Sequence, residues 1–146
     1  MAGEREVFYT KYIARIDTAI VEHRPFEAVL LTAALLGVRI ISILRSGEPE
    51  PGVTPQMGNG LGGTIKAMRK YQQDGYYKHI TDEMLSDLWE WRGRRNELVH
   101  DIAKGEIAPE DMDTVAGEIA TDGQELLRAS LAAFRRERKI QVRRGD

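Results

Sequence analysis

Apolar residues recur along this chain at helical spacing, and no stretch alternates with the period of two that marks a strand. Over residues 4–22, Tyr9, Ile13, Ile16 and Ile20 form one face, which Phe8, Tyr12 and Ala19 widen. That spacing predicts a first amphipathic helix. Pro25 suits the first turn of a second helix running to about Arg45. Phe26, Val29, Leu30, Ala33, Leu36, Gly37, Ile40, Ile41 and Leu44 make this segment apolar almost all round, so it is expected to be the central, most buried element.

Glycine and proline then crowd Gly47 to Gly63, which reads as a loop. A third helix is predicted from Thr64, as its cap, to about Gln73, followed by a turn at Gly75, Tyr76 and Tyr77. Thr81-Asp82-Glu83-Met84 has the form of a helix start, with acids in the first turn. This fourth helix continues through Trp89 and Trp91 toward His100. Gly105 and Pro109 separate it from a last long helix, Pro109 to about Val142, with Met112, Val115, Ile119, Leu126 and Phe134 as its stripe and Gly123 as a weak spot. No internal repeat is evident. The expected architecture is all-α, an antiparallel bundle of four to five helices in a single domain over residues 1–146.

Composition narrows the chemistry. With no cysteine, disulfide scaffolds, thiol catalysis and cysteine-ligated metals are excluded, and a reducing cytosol fits. The start, MAGEREVFYTKY, is charged ahead of any apolar run, so no secretory signal is visible. The apolar stretch Ala28 to Leu44 is interrupted by Thr32, Arg39 and Ser42 and is expected to be too polar to span a membrane. The formal net charge of −2 hides an asymmetry: the segment from Arg128 onward carries +5 and the rest −7. Such a basic helix or tail fits either a nucleic-acid contact or a solvated, fraying end.

Gly58-Asn59-Gly60-Leu61-Gly62-Gly63 formally matches the dinucleotide fingerprint, but it lacks the preceding strand on which that mechanism depends. His23, His79 and His100 are far apart, and no E-x-x-H pair is present, so neither a metal nor a cofactor is expected. The segment Trp89 to Asp101 is different. Met84, Leu88, Trp91, Leu98 and Ile102 form one helical seam, in which the position between Trp91 and Leu98 is Arg95. A cation in an apolar seam is costly unless it is paired or faces a polar site. Arg92, Asn96 and His100, at spacings of four, make an adjacent polar stripe.

An arginine, an amide and an imidazole together suit phosphodiester chemistry. Arg95 and His100, five apart, lie some 140° apart around a regular helix. They converge if the helix breaks before His100 or if two copies meet across a twofold axis. The plainer alternative is an Asn96–His100 polar pair, with Arg95 reaching out to Glu97 or Asp101.

Arg95-Asn96-Glu97-Leu98-Val99-His100 resembles the R-x(4–6)-H signature of the HEPN superfamily in its R-N-x-x-x-H form. This form has roughly 0.004 chance occurrences in such a composition. The order of helices, with the motif late and a helix after it, is similar to that family as well. The resemblance implies a HEPN-like bundle and a metal-independent endoribonuclease, a toxin or phage-defence effector that acts as a homodimer through the motif helix. Arg95 would bind the scissile phosphate, His100 would act as general base or acid for the 2′-OH, and Asn96 would support them, giving 2′,3′-cyclic phosphate and 5′-OH ends. Arg92, Arg94, Arg135, Arg136, Arg138 and Lys139 would attract the RNA backbone.

Toxin members imply a cognate antitoxin protein. In one branch a tyrosine two residues after the histidine is the modified residue; this chain has Ile102 there. Non-catalytic members imply an alternative, a module that binds nucleotide, RNA or protein. A third reading is a helical adaptor whose tail binds nucleic acid.

Overall fold

The computed structural model describes residues 2–46 and 60–145, with the side chains of residues 7–46 and 60–143. All regular structure among them is helical: α1 (Ala2–Val21), α2 (Pro25–Ser46), α3 (Gly60–Gln73), α4 (Asp82–Lys104) and α5 (Pro109–Gly145). The all-α expectation of four to five helices therefore holds. The residues expected to form the Gly47–Gly63 loop lie outside the described residues as far as 59.

Local chemistry explains the helix ends. Thr81 caps α4, its Oγ1 accepting the Met84 amide at 3.1 Å. At the other end, Gly105 takes a positive φ of 67°, and the Gly105 and Glu106 amides return to the carbonyls of Ile102 and Asp101. Thr64 does not cap α3 as expected. The helix begins four residues earlier at Gly60, and Thr64 is buried inside it with its hydroxyl donating to the Leu61 carbonyl at 2.7 Å.

Two compact units can be distinguished, and α2, α4 and α5 contribute to both. The first comprises residues 1–35 and 91–125. Its buried apolar residues include Ile16, Ala19, Val29, Trp91, Leu98, Ala116 and Ile119. Trp91 is 3% exposed, and its indole Nε1 donates to the Ile119 carbonyl at 2.9 Å. Its ring lies over Gly123, where a Cβ would come within 2.7 Å of Trp91 Cζ2. Gly123, expected to be a weak spot, is thus the seat of the Trp91 ring. The Gln124 amide also hydrogen-bonds the Asp17 carboxylate.

The second unit comprises residues 36–90 and 126–146, with Leu36, Ile40, Leu44, Ile65, Met68, Leu85 and Phe134 among its buried residues. Here Glu137, 1% exposed, accepts the backbone amides of Lys78 at 3.1 and 3.2 Å and of His79 at 2.8 Å. A buried carboxylate is tolerable because three N–H contacts replace its water. The segment after Arg128 continues as helix through Gly145 rather than as a loose tail.

Helix α2 departs from expectation. It is not enclosed on all sides: Leu30 is 69% exposed, Val38 50% and Phe26 37%. By length and composition it is apolar enough to cross a membrane, despite Thr32, Arg39 and Ser42, while half of its most apolar window is buried within the fold.

Gly123→Ala tests the Trp91 seat. Alanine gains about 1 kcal/mol of helix propensity, but forcing the rigid indole aside loses about 1–3 kcal/mol. The expected net result is a lower urea midpoint than wild type; a higher one would mean that the ring yields freely.

Candidate phosphate site on α4

The motif residues all lie on the C-terminal half of α4, in the first unit. The predicted seam persists through Leu88, Trp91 and Leu98, which are at most 3% exposed, and ends at Ile102, which is 39% exposed. Arg95 lies in the middle of this stretch, half-buried. Burial, and secondarily the neighbouring charge of Arg92, hold its guanidinium below the ordinary arginine pKa. The group remains a cation, but one stripped of part of its hydration and so better disposed toward an anion.

The guanidinium is aimed by its neighbour. Arg95 Nε and Nη2 donate to Asn96 Oδ1 at 3.3 and 3.0 Å. The alternative in which Arg95 reaches Glu97 or Asp101 is therefore not what forms. Nor do Asn96 and His100 pair: the Asn96 amide oxygen accepts from Arg95, and no hydrogen bond joins the amide to the imidazole. His100 is exposed.

The helix runs unbroken to Lys104. This removes one of the two ways by which Arg95 and His100 were expected to converge. Within one chain they stay about 140° apart and about 7.5 Å along the axis, so a twofold partner is the remaining way to bring the two groups together.

Of the residues expected to attract RNA, Arg94 is already engaged, its Nη1 within 2.6 Å of Asp122 Oδ2. Arg92 is half-buried. Asp122 carries no local sequence signal; its role depends on the register between α4 and α5, which Trp91 on Gly123 sets one residue away. Beside this ion pair runs a groove of roughly 740 Å³ lined by Ile20, His23, Asp113, Glu118, Thr121 and Asp122 among others. Arg94 also lines it but is paired with Asp122, which leaves the carboxylates of Asp113 and Glu118 to disfavour a phosphate, and the groove includes none of Arg95, Asn96 and His100.

The remaining predicted cations sit in the second unit. Arg128, Arg135, Arg136, Arg138, Lys139 and Arg143 are exposed on α5. At about 100° per residue, Arg128, Arg135, Lys139 and Arg143 share about a quarter of the helix circumference, and Glu137 lies opposite them. With Glu137 turned inward onto the Lys78 and His79 amides, this outer face is basic. Among the described residues, no group of three or more His, Asp or Glu is placed to hold a metal ion.

No family model, curated protein or solved structure matches the chain.

Asn96→Ala should free the Arg95 side chain. The expected outcome is loss of the Arg95 Nε–H cross-peak from proton–nitrogen NMR spectra near neutral pH, with Asn96→Asp retaining it. A peak that persists in Asn96→Ala would mean that burial alone holds the guanidinium.

Proposed function

We propose that this protein is a metal-independent endoribonuclease of HEPN type, a toxin or phage-defence effector that works as a homodimer through α4. The observation that carries this reading is the Arg95–Asn96 clamp: a partly desolvated guanidinium held by an amide within the R-N-x-x-x-H motif, followed by an exposed imidazole at His100. Two copies facing each other would pair Arg95 of one with His100 of the other across a twofold axis. The guanidinium would take the non-bridging oxygens of the scissile phosphate and stabilise the charge that grows on them.

His100 would remove the proton from the 2′-OH. The 2′ oxygen then bonds to phosphorus while the P–O5′ bond breaks, and the departing 5′ oxygen takes up a proton. The products are a 2′,3′-cyclic phosphate and a 5′-OH, with no metal-bound water needed. The basic outer face of α5 would hold the backbone electrostatically. A cognate antitoxin protein and a cytoplasmic setting accompany this reading.

One observation favours a second reading. On an unbroken α4, a single chain offers Arg95 without His100 beside it, which suits a non-catalytic module holding RNA or a nucleotide by its phosphate.

Labelled RNA incubated in EDTA separates the two. The nuclease reading expects cyclic-phosphate ends and a loss of roughly 10²–10⁴-fold in Arg95→Ala or His100→Ala. A mixed dimer of the two variants contains one intact composite site and should recover up to half of the wild-type rate. RNA binding without cleavage supports the module, and cleavage that never recovers in the mixture excludes the shared site. Independently, Arg135→Ala/Lys139→Ala should flatten the salt dependence of single-stranded RNA binding by about 1.4 in log K per log salt, if each cation neutralises one phosphate.

A further inference from the structure

The outward face of α2 is apolar over most of its length, and its side chains are exposed or half-buried among the described residues. Around the helix, Glu27, Leu30, Leu31, Ala34, Gly37, Val38, Ile41 and Arg45 fall within about 60° of the line through Ala34. All eight are exposed or half-buried, whereas Ala28, Val29, Thr32, Ala33, Leu36, Ile40 and Leu44 on the other side are buried. Leu30 is 69% exposed and Val38 50%, and together with their neighbours on this face they form a contiguous apolar patch. The apolar surface extends onto α1, where Phe8 and Tyr12, in edge contact at 4.8 Å, flank Leu31 across a groove of roughly 430 Å³.

Gly37 stands in the middle of this face. Glycine is the poorest helix former after proline, so one in a helix interior needs a reason. Its φ is not in the left-handed region, and a Cβ built on it meets nothing within 4 Å. Neither backbone conformation nor packing within the chain requires a glycine here. The bare backbone leaves room there for another helix to approach closely.

We infer that α2 packs against α2 of a second copy, antiparallel, about a twofold axis that passes beside Gly37. The charges at the two ends select this direction. Glu27 closes one end of the apolar face and Arg45 the other, so an antiparallel pair sets each Arg45 beside the second copy's charge-balanced Glu27 cluster, while a parallel pair stacks Arg45 on Arg45. Glu27 already accepts from Arg15 at 2.6 Å and Arg24 at 2.7 Å. With Glu22 on Arg24, these four charges cancel, and the carboxylate retains lone pairs for a further donor. The midpoint of this register falls at position 36, next to Gly37, an agreement that the choice of end charges did not impose. Leu31 then meets Ile41, and Ala34 meets Val38, across the axis.

The face from Glu27 to Arg45 is about 27 Å long, some five helical turns. This contact does not depend on the nuclease reading or on pairing through α4. A chain that makes both would assemble beyond a dimer.

Because the chain contains no cysteine, a single introduced one reports on self-proximity without background. In the inferred register, Gly37 of the two copies are offset by only about 3 Å along the helices, whereas Leu30 of the two copies are about 18 Å apart. Disulfides require Cα atoms within about 7 Å. Mild oxidation should therefore give a covalent dimer of Gly37→Cys and none of Leu30→Cys, and Val38→Glu should halve the mass measured by light scattering. Should Val38→Glu fail to fold, the cysteine pair still decides. The inference is overturned by a monomeric wild type at high micromolar concentration, by an unchanged mass in a helical Val38→Glu, by equal cross-linking of both cysteines, or by neither cross-linking. Wild type that instead floats with phosphatidylcholine vesicles would assign the face to a membrane.

Discussion

The contact between Trp91 and Gly123 sets the register on which the candidate site depends. A buried indole can be held only if its N–H finds an acceptor and its ring finds a flat surface. The Ile119 carbonyl and the bare backbone at Gly123 supply both from one turn of α5. With α4 fixed there, Arg94 falls opposite Asp122, and Arg95 is carried one residue further round, away from that carboxylate. Two adjacent arginines thereby acquire different chemistry: one is neutralised in an ion pair, and the other stays half-buried with only a neutral amide to hold it. An arginine satisfied by a carboxylate has little left for a phosphate, while one held by an amide oxygen keeps its full charge.

The same division of roles runs along α5. Counted along the chain, Glu137 offsets one of the surrounding cations. In the folded chain it is buried and bound by the Lys78 and His79 amides, so its carboxylate does not stand among the cations on the outer face. Sequence charge is a sum over residues, but a polyanion meets only the side of the helix that faces it.

What could be read from the residues, and what could not, divides along similar lines. Helix periodicity, the Thr81 cap and the Gly105 stop are local, depending on residues within a turn or two, and they were legible. The meaning of Gly123 and Thr64 was not. Each looked like punctuation, and each is instead a packing position: Gly123 seats the Trp91 ring and Thr64 is buried within α3, and both surroundings are set by the fold. The motif lies between these cases. Its spacing pointed to Arg95, Asn96 and His100, but only the folded helix decides that Asn96 serves Arg95 rather than His100, and that α4 continues straight through the histidine.

That continuity has a consequence for how such a site must work. A kink between Arg95 and His100 would let one chain carry both groups, and activity would then be insensitive to concentration. A straight α4 keeps them on different sides, so in the proposed nuclease each chain would hold half of a site, and a phosphate would meet both groups where two chains meet. Under that proposal catalysis would be coupled to assembly by mass action, and a monomer would be inactive without any inhibitor. A partner that covers α4 would silence the site without touching the scissile phosphate, by occupying the surface that the second copy needs.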